Sequence, residues 1–128
     1  MNENVCKAVD EIKAAFPAVV CNASDDGEGG AIVVLEDVHL GDLYDPSASW
    51  IGFRITFQYP YADVYPHFVR HDLRRVDGKP LGEAINGGQQ FLGRPAVMLS
   101  RKSSRLNPST DTALLKLQKV LKWISTHP

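Results

Sequence analysis

Few side chains in this 128-residue chain could do chemistry. It has two thiols, Cys6 and Cys21, and none in residues 22–128. A thiolate can serve as a nucleophile or a metal ligand. Neither cysteine has a second Cys or a His at ligand spacing, so no metal site is expected. His67 and His71 sit at i and i+4 on a short β-prone run beside Asp72, without further convergent ligands, and read as surface histidines. Ser100, Ser103 and Ser104 flank Arg101, but no G-x-S-x-G or S-x-x-K spacing is present to activate a serine. Gly27-Glu28-Gly29-Gly30 is no phosphate loop, because no Lys follows it and Asp25, Asp26 and Glu28 would repel a phosphate. No cofactor is implied. What remains is binding chemistry: a basic region of Arg94, Arg101, Lys102, Arg105, Lys116, Lys119 and Lys122, and three closely spaced tyrosines, Tyr59, Tyr61 and Tyr65.

The elements that must hold these residues can be read in order. Val5, Val9, Ile12 and Phe16 share one helical face over residues 3–16, with Asn2 or Asn4 as cap and Pro17 as stop. Cys6 flanks that face as a packing residue. Residues 18–22 and 31–40 read as strands joined by the glycine turn. Residues 51–58 alternate strictly, with Ile51, Phe53, Ile55 and Phe57 on one side and Arg54, Thr56 and Gln58 on the other. Two Tyr-Pro steps in residues 59–66 force an extended path into a fourth strand at 67–71. Residues 70–93, with glycines at 78, 82, 87, 88 and 93, read as one long irregular segment. It leads to an apolar ridge, Gly93–Ser100, and a polar loop. A final helix follows from about residue 110 to 125, its buried stripe Leu114, Leu117, Leu121 and Ile124, with Lys116, Lys119 and Lys122 turned outward. The order predicts one α+β domain over 1–128: an N-terminal helix, a four-stranded antiparallel meander, an irregular ridge and a C-terminal helix.

Hydrophobic content of 44% and charged content of 23% are those of an ordinary water-soluble domain. No apolar run reaches the length of a membrane span and the first residues do not open a signal peptide, so the expectation is a cytoplasmic protein that binds no membrane. The net charge of −1 conceals a split. Residues 1–64 hold 11 acids and 3 bases, and residues 65–128 hold 4 acids and 11 bases. Either the halves neutralise each other across the globule or one of them carries an interaction face. A nucleic-acid partner is disfavoured, since the basic region lacks interleaved exposed aromatics and the isoelectric point is about 6.4.

The element order, the segment Tyr59–Pro66 and the register of the ridge together resemble the ubiquitin-conjugating fold over nearly the whole chain. With Leu99 on the leucine that follows the family's catalytic cysteine, Met98 takes the nucleophile position, Leu106 the tryptophan position and Pro108 the proline position, without a gap. The family's His-Pro-Asn falls on Gly88-Gln89-Gln90, which puts Gln90 where an oxyanion donor would stand. A thioether cannot form a thioester. The resemblance therefore implies a non-catalytic relative with a vestigial site at Met98 and Gln90. Its expected partner is a ubiquitin-like protein, or the activating or conjugating enzyme that carries one, in a pathway of the bacterial kind. Met98 is also compatible with plain core packing. Tyr59, Tyr61 and Tyr65 are either partner anchors or turn packing, and Arg94, Arg101, Lys102 and Arg105 suit an acidic protein surface. The alternatives are a divergent conjugating enzyme using Cys21 or Cys6, and a scaffold subunit of a larger complex.

Overall fold

A computed structural model describes residues 1–127. Helix α1 (Glu3–Ala15) begins where the Asn2 side chain accepts the Val5 N–H at 3.0 Å, which satisfies one of the donors a helix start leaves free. Strands β1 (Cys21–Asp25), β2 (Ala31–His39) and β4 (Ala48–Ile55) form an antiparallel meander. The short β3 (Tyr44–Asp45) lies in the β2–β4 connection. Beyond the Tyr-Pro segment come β5 (His67–Arg70), the short β6 (Arg74–Arg75), β7 (Ile85–Phe91), β8 (Arg94–Leu99) and helix α2 (Ala113–Ser125).

The expected α+β domain between two helices is present, but its sheet is larger than four strands. Six strands run in the order β1-β2-β4-β5-β8-β7, and β3 and β6 pair as a separate two-stranded ribbon. The segment expected to be irregular supplies two of the added strands, β6 and β7, and the apolar ridge is itself strand β8, inserted between β5 and β7. The β7–β8 hairpin turns on Leu92 and Gly93 with φ of 53° and 77°, the two positive angles that a two-residue turn of this hand requires.

Both helices cover one face of the sheet. Val5, Ala8, Val9 and Ile12 of α1 and Ala113, Leu117, Val120 and Ile124 of α2 pack on Val33, Leu35, Ile51, Phe53, Ile55, Val69, Val97 and Leu99. Those sheet residues follow the alternation expected of a strand with one buried side. The opposite face carries a smaller cluster, with Val34, Phe91 and Ala96 buried and Trp50 and Phe68 half-buried. The rings of Trp50 and Phe91 lie 6.0 Å apart, and those of Phe68 and Phe91 5.0 Å apart. Gly52 makes this possible. A Cβ there would stand 2.5 Å from the Phe91 ring.

The buried stripe of α2 is rotated from the expected one. Ala113, Lys116, Leu117, Val120 and Ile124 face inward, while Leu114 and Leu121 are only half-buried. Two tyrosine hydroxyls hold the helix at its ends. That of Tyr59 accepts the Ala113 N–H at 3.0 Å, and that of Tyr44 donates to the Ile124 carbonyl at 2.8 Å. The β3–β6 ribbon braces the second end, where Arg75 donates to the His127 carbonyl at 3.1 Å.

Leu92 is 61% exposed and occupies a left-handed conformation that its Cβ disfavours. Leu92→Asn should therefore raise stability by about 0.5–1 kcal/mol, seen in urea as a higher midpoint at unchanged slope. A lower midpoint would mean that the turn does not have this geometry.

Candidate functional site

The Tyr-Pro segment, the loop after β8 and helix α2 meet at one polar cluster. The carboxylate of Asp63 accepts from the Ser103 N–H at 2.7 Å and from the Ser103 hydroxyl at 2.9 Å. It also accepts from the Lys116 ammonium, with Nζ at 3.2 and 3.0 Å from its two oxygens. Lys116 Nζ donates to Ser103 Oγ as well, at 2.9 Å. Contrary to the outward position expected for it, Lys116 is 7% exposed. Position 116 lies one turn from 113 and 120 on the inward face, and Asp63 supplies the charge that permits burial there. Lys116 Nζ thus makes three contacts within the cluster, two to Asp63 and one to Ser103. Ser103 cross-links the turn, the loop and the helix. Burial pushes the Asp63 carboxyl up, but the Ser103 amide, the Lys116 ammonium and the Ser103 hydroxyl outweigh it and hold the group below the usual carboxylate range.

His67 lies close behind this cluster. It is fully buried, not a surface histidine, and its ring centroid is 4.9 Å from that of Phe53. Neither ring nitrogen has a hydrogen-bond partner in the protein. Burial first, and then the positive charge of Lys116, push its pKa down to about 3, against a smaller opposing effect of Asp63. His71 lies outside the strand and is exposed.

Beside the cluster runs a groove of about 510 Å³ between the loop 101–105 and the outer side of α2. Arg101, Lys102, Arg105, Lys119 and Lys122 line it and are all exposed. Among the described residues none of these five cations pairs with a carboxylate; elsewhere Arg54, Arg70, Arg74 and Arg75 do, while Lys7, Lys13, Lys79 and Arg94 stand unpaired but scattered. Arg101 stands 5.8 Å from the centre of the Trp123 ring and Lys102 5.2 Å from that of Tyr65. Arg94 is elsewhere. It covers Trp50 at 4.3 Å on the sheet face away from the helices, so the structure divides the basic region in two.

The tyrosines also part company. Tyr59 is 8% exposed and its hydroxyl is engaged by α2, which makes it packing; burial pushes its phenol up. Tyr65 is half-buried under Lys102, and Tyr61 is 77% exposed. Met98 is half-buried opposite Phe68 and Asn86, on the sheet face away from the helices. Gln90 pairs with Pro95, three residues back along β8 and of opposite parity, so the two side chains leave the sheet on opposite faces. They form no joint site. Cys6 is exposed on α1. Cys21 is on β1, four strands from β8 and thus about 19 Å across the sheet. Burial pushes the Cys21 thiol up, away from the reactive thiolate.

Lys119 and Lys122 were visible in the sequence, but the cluster beneath them was not. Its one signal is that Lys116 falls inside the stripe 113, 117, 120, 124 on a helical projection, which demands a buried acid from elsewhere. No family model matches the chain, and no curated protein or solved structure matches it. No helix among the described residues is long and apolar enough to cross a membrane.

Two variants test this assembly. Lys116→Met strands the Asp63 carboxylate and should cost about 2–4 kcal/mol in urea denaturation at pH 7; a cost below about 1 kcal/mol would show the cluster to be solvated. The low pKa of His67 means that the unfolded chain takes up a proton near pH 6.5 that the folded chain refuses. Above about pH 6.5 it is neutral in both states and its burial carries no protonation penalty, and stability falls as pH drops toward 3, by up to about 1.4 kcal/mol per pH unit. The lowered Asp63 adds to the loss only below about pH 4. His67→Leu should keep stability at pH 7 within about 1 kcal/mol and flatten its decline between about pH 6.5 and 4.5. A variant as acid-sensitive as the wild type would remove His67 as the cause.

Proposed function

We propose that the chain is a non-catalytic protein-binding domain of ubiquitin-conjugating-like architecture, whose partner is a ubiquitin-like protein or the activating or conjugating enzyme that carries one. The observation that carries the binding role is the groove, where five cations stand without carboxylate partners although the whole chain is slightly acidic. Cations left unpaired in one groove are available to an acidic partner and make an attractive local potential. The order of N-terminal helix, antiparallel meander, Tyr-Pro turn, strands β5 to β8 and C-terminal helix supports the architectural part of the reading. The lack of catalysis is supported by the placement of sulfur. Met98, which the resemblance sets at the nucleophile position, is a thioether, and Cys21 lies at the far edge of the sheet.

The test is incubation with ATP, activating enzymes and ubiquitin-like proteins from the same source organism. No thiol-reducible adduct should form on a non-reducing gel. The same ubiquitin-like proteins or activating enzymes should shift amide resonances of the labelled domain reversibly. A reducible adduct that disappears in Cys21→Ala or Cys6→Ala would replace this reading with the catalytic one. Silence toward every such protein would remove the proposed partner class.

A further inference from the structure

We propose that the groove between the loop 101–105 and helix α2 takes a short acidic polypeptide segment in extended form. This deepens the binding-domain reading and rests on it for the partner's being a protein; the ligand chemistry rests on the groove alone.

One wall is a helical face. Lys116, Lys119, Trp123 and Thr126 recur every three or four residues and so line one side of α2. From 116 to 126 that side is about 15 Å long, which matches about four to five extended residues. The other wall is the loop carrying Arg101, Lys102 and Arg105, tied down at Ser103 by the Asp63–Lys116 cluster. The cationic side chains are therefore mounted on a helix and on a pinned loop. Arg101 stands over Trp123 and Lys102 over Tyr65, so these two do not converge on one point, an arrangement suited to a row of carboxylates.

Two features separate a peptide from a nucleic acid. A single-strand site needs open aromatic faces on which bases stack. The Trp123 ring already has Arg101 at 5.8 Å and the His127 ring at 4.6 Å, and Tyr65 has Lys102 against it. The groove also contains one acid, the half-buried Asp111, whose side chain accepts from the Asn107 N–H at 2.8 Å. A phosphodiester backbone has no donor for that carboxylate and would be repelled by it. A polypeptide brings backbone N–H groups for Asp111 and the Ser104 and Thr126 hydroxyls, along with its carboxylates for the cations.

The experiment uses fluorescein-labelled hexaglutamate and the full chain, read by anisotropy at low salt. Binding should be saturable and should weaken at least ten-fold between about 50 and 250 mM NaCl, as expected for exposed charges. Lys119→Glu with Lys122→Glu should weaken it at least ten-fold, while Lys7→Glu with Lys13→Glu on α1 leaves it unchanged. Both pairs are exposed, and circular dichroism and the urea midpoint confirm that the variants fold. Equal loss in the α1 pair would mean diffuse charge attraction and overturn the proposal. So would tighter binding of a labelled hexathymidylate than of the peptide. A wild-type dimer in sedimentation, dissociated by Lys119→Glu with Lys122→Glu, would instead give the groove to a second copy of the chain. Failure of hexaglutamate to bind removes the peptide assignment but leaves the domain's binding of ubiquitin-like partners to its own test.

Discussion

The Asp63–Ser103–Lys116 cluster is the contact through which three separate parts of the chain are fixed. Asp63 comes from a turn set by two Tyr-Pro steps, Ser103 from a loop without regular structure and Lys116 from the middle of α2. None of these is hydrogen-bonded to the others through the sheet. A charge of either sign alone in that place would be strongly unfavourable, because Lys116 is 7% exposed and His67 behind it offers no compensating hydrogen bond. Together the two charges, with the serine taking up the remaining donor and acceptor capacity, tolerate burial and fix one relative position of turn, loop and helix.

That constraint settles which way α2 faces. With Lys116 held inward, Leu117, Val120 and Ile124 reach the sheet, and Lys119 and Lys122 are turned to the side that faces the loop. Tyr59 and Tyr44 then meet backbone groups at the two ends of the helix. Each contributes about 1 kcal/mol, Tyr59 to an N–H that a helix start leaves free and Tyr44 to a carbonyl that also accepts from the residues just past the helix. The groove is the outer side of the same arrangement. Its cations are displayed because the buried one beneath them is neutralised.

Much of this was legible in the residues, and the failures have physical causes. Val5, Val9 and Ile12, the alternation through Ile51, Phe53 and Ile55, and the apolar period of the terminal helix each signalled an element, although Phe57 lies exposed beyond the end of β4 and the stripe of α2 is rotated from the expected one. Strand β7 did not. Its sequence Ile85-Asn86-Gly87-Gly88-Gln89-Gln90-Phe91 is polar because it forms the sheet edge, and its register shifts between Asn86 and Gln89, so no alternation survives. Its turn is Leu92-Gly93 where Asn-Gly would have signalled a hairpin. His67 looked like a surface residue because a four-residue strand shows too little pattern to separate its faces. The site was half-readable. The cations were plain from composition, but the partner of Lys116 lies 53 residues away, and single-chain periodicity does not reach that far.

The uneven charge of the two halves acquires a cause from the same contacts. Among the described residues only two ion pairs cross from 1–64 to 65–128, Asp63 with Lys116 and Asp45 with Arg74. The remainder close within a half: the Met1 amino group with Asp25, His39 with Asp42, and Arg54 with Asp26 and Glu28 in the first, Arg70 with Asp72 and Arg75 with Asp77 in the second. Mutual neutralisation would have drawn the basic loop and helix against the acidic strands. Instead the one crossing pair that is buried lies at the floor of the groove, and the basic surplus stands above it in water. Exposed unpaired lysines and arginines contribute little to folding. Their concentration on two walls that a buried ion pair holds in place is therefore a property of the surface, and it is the surface that an acidic partner would meet first.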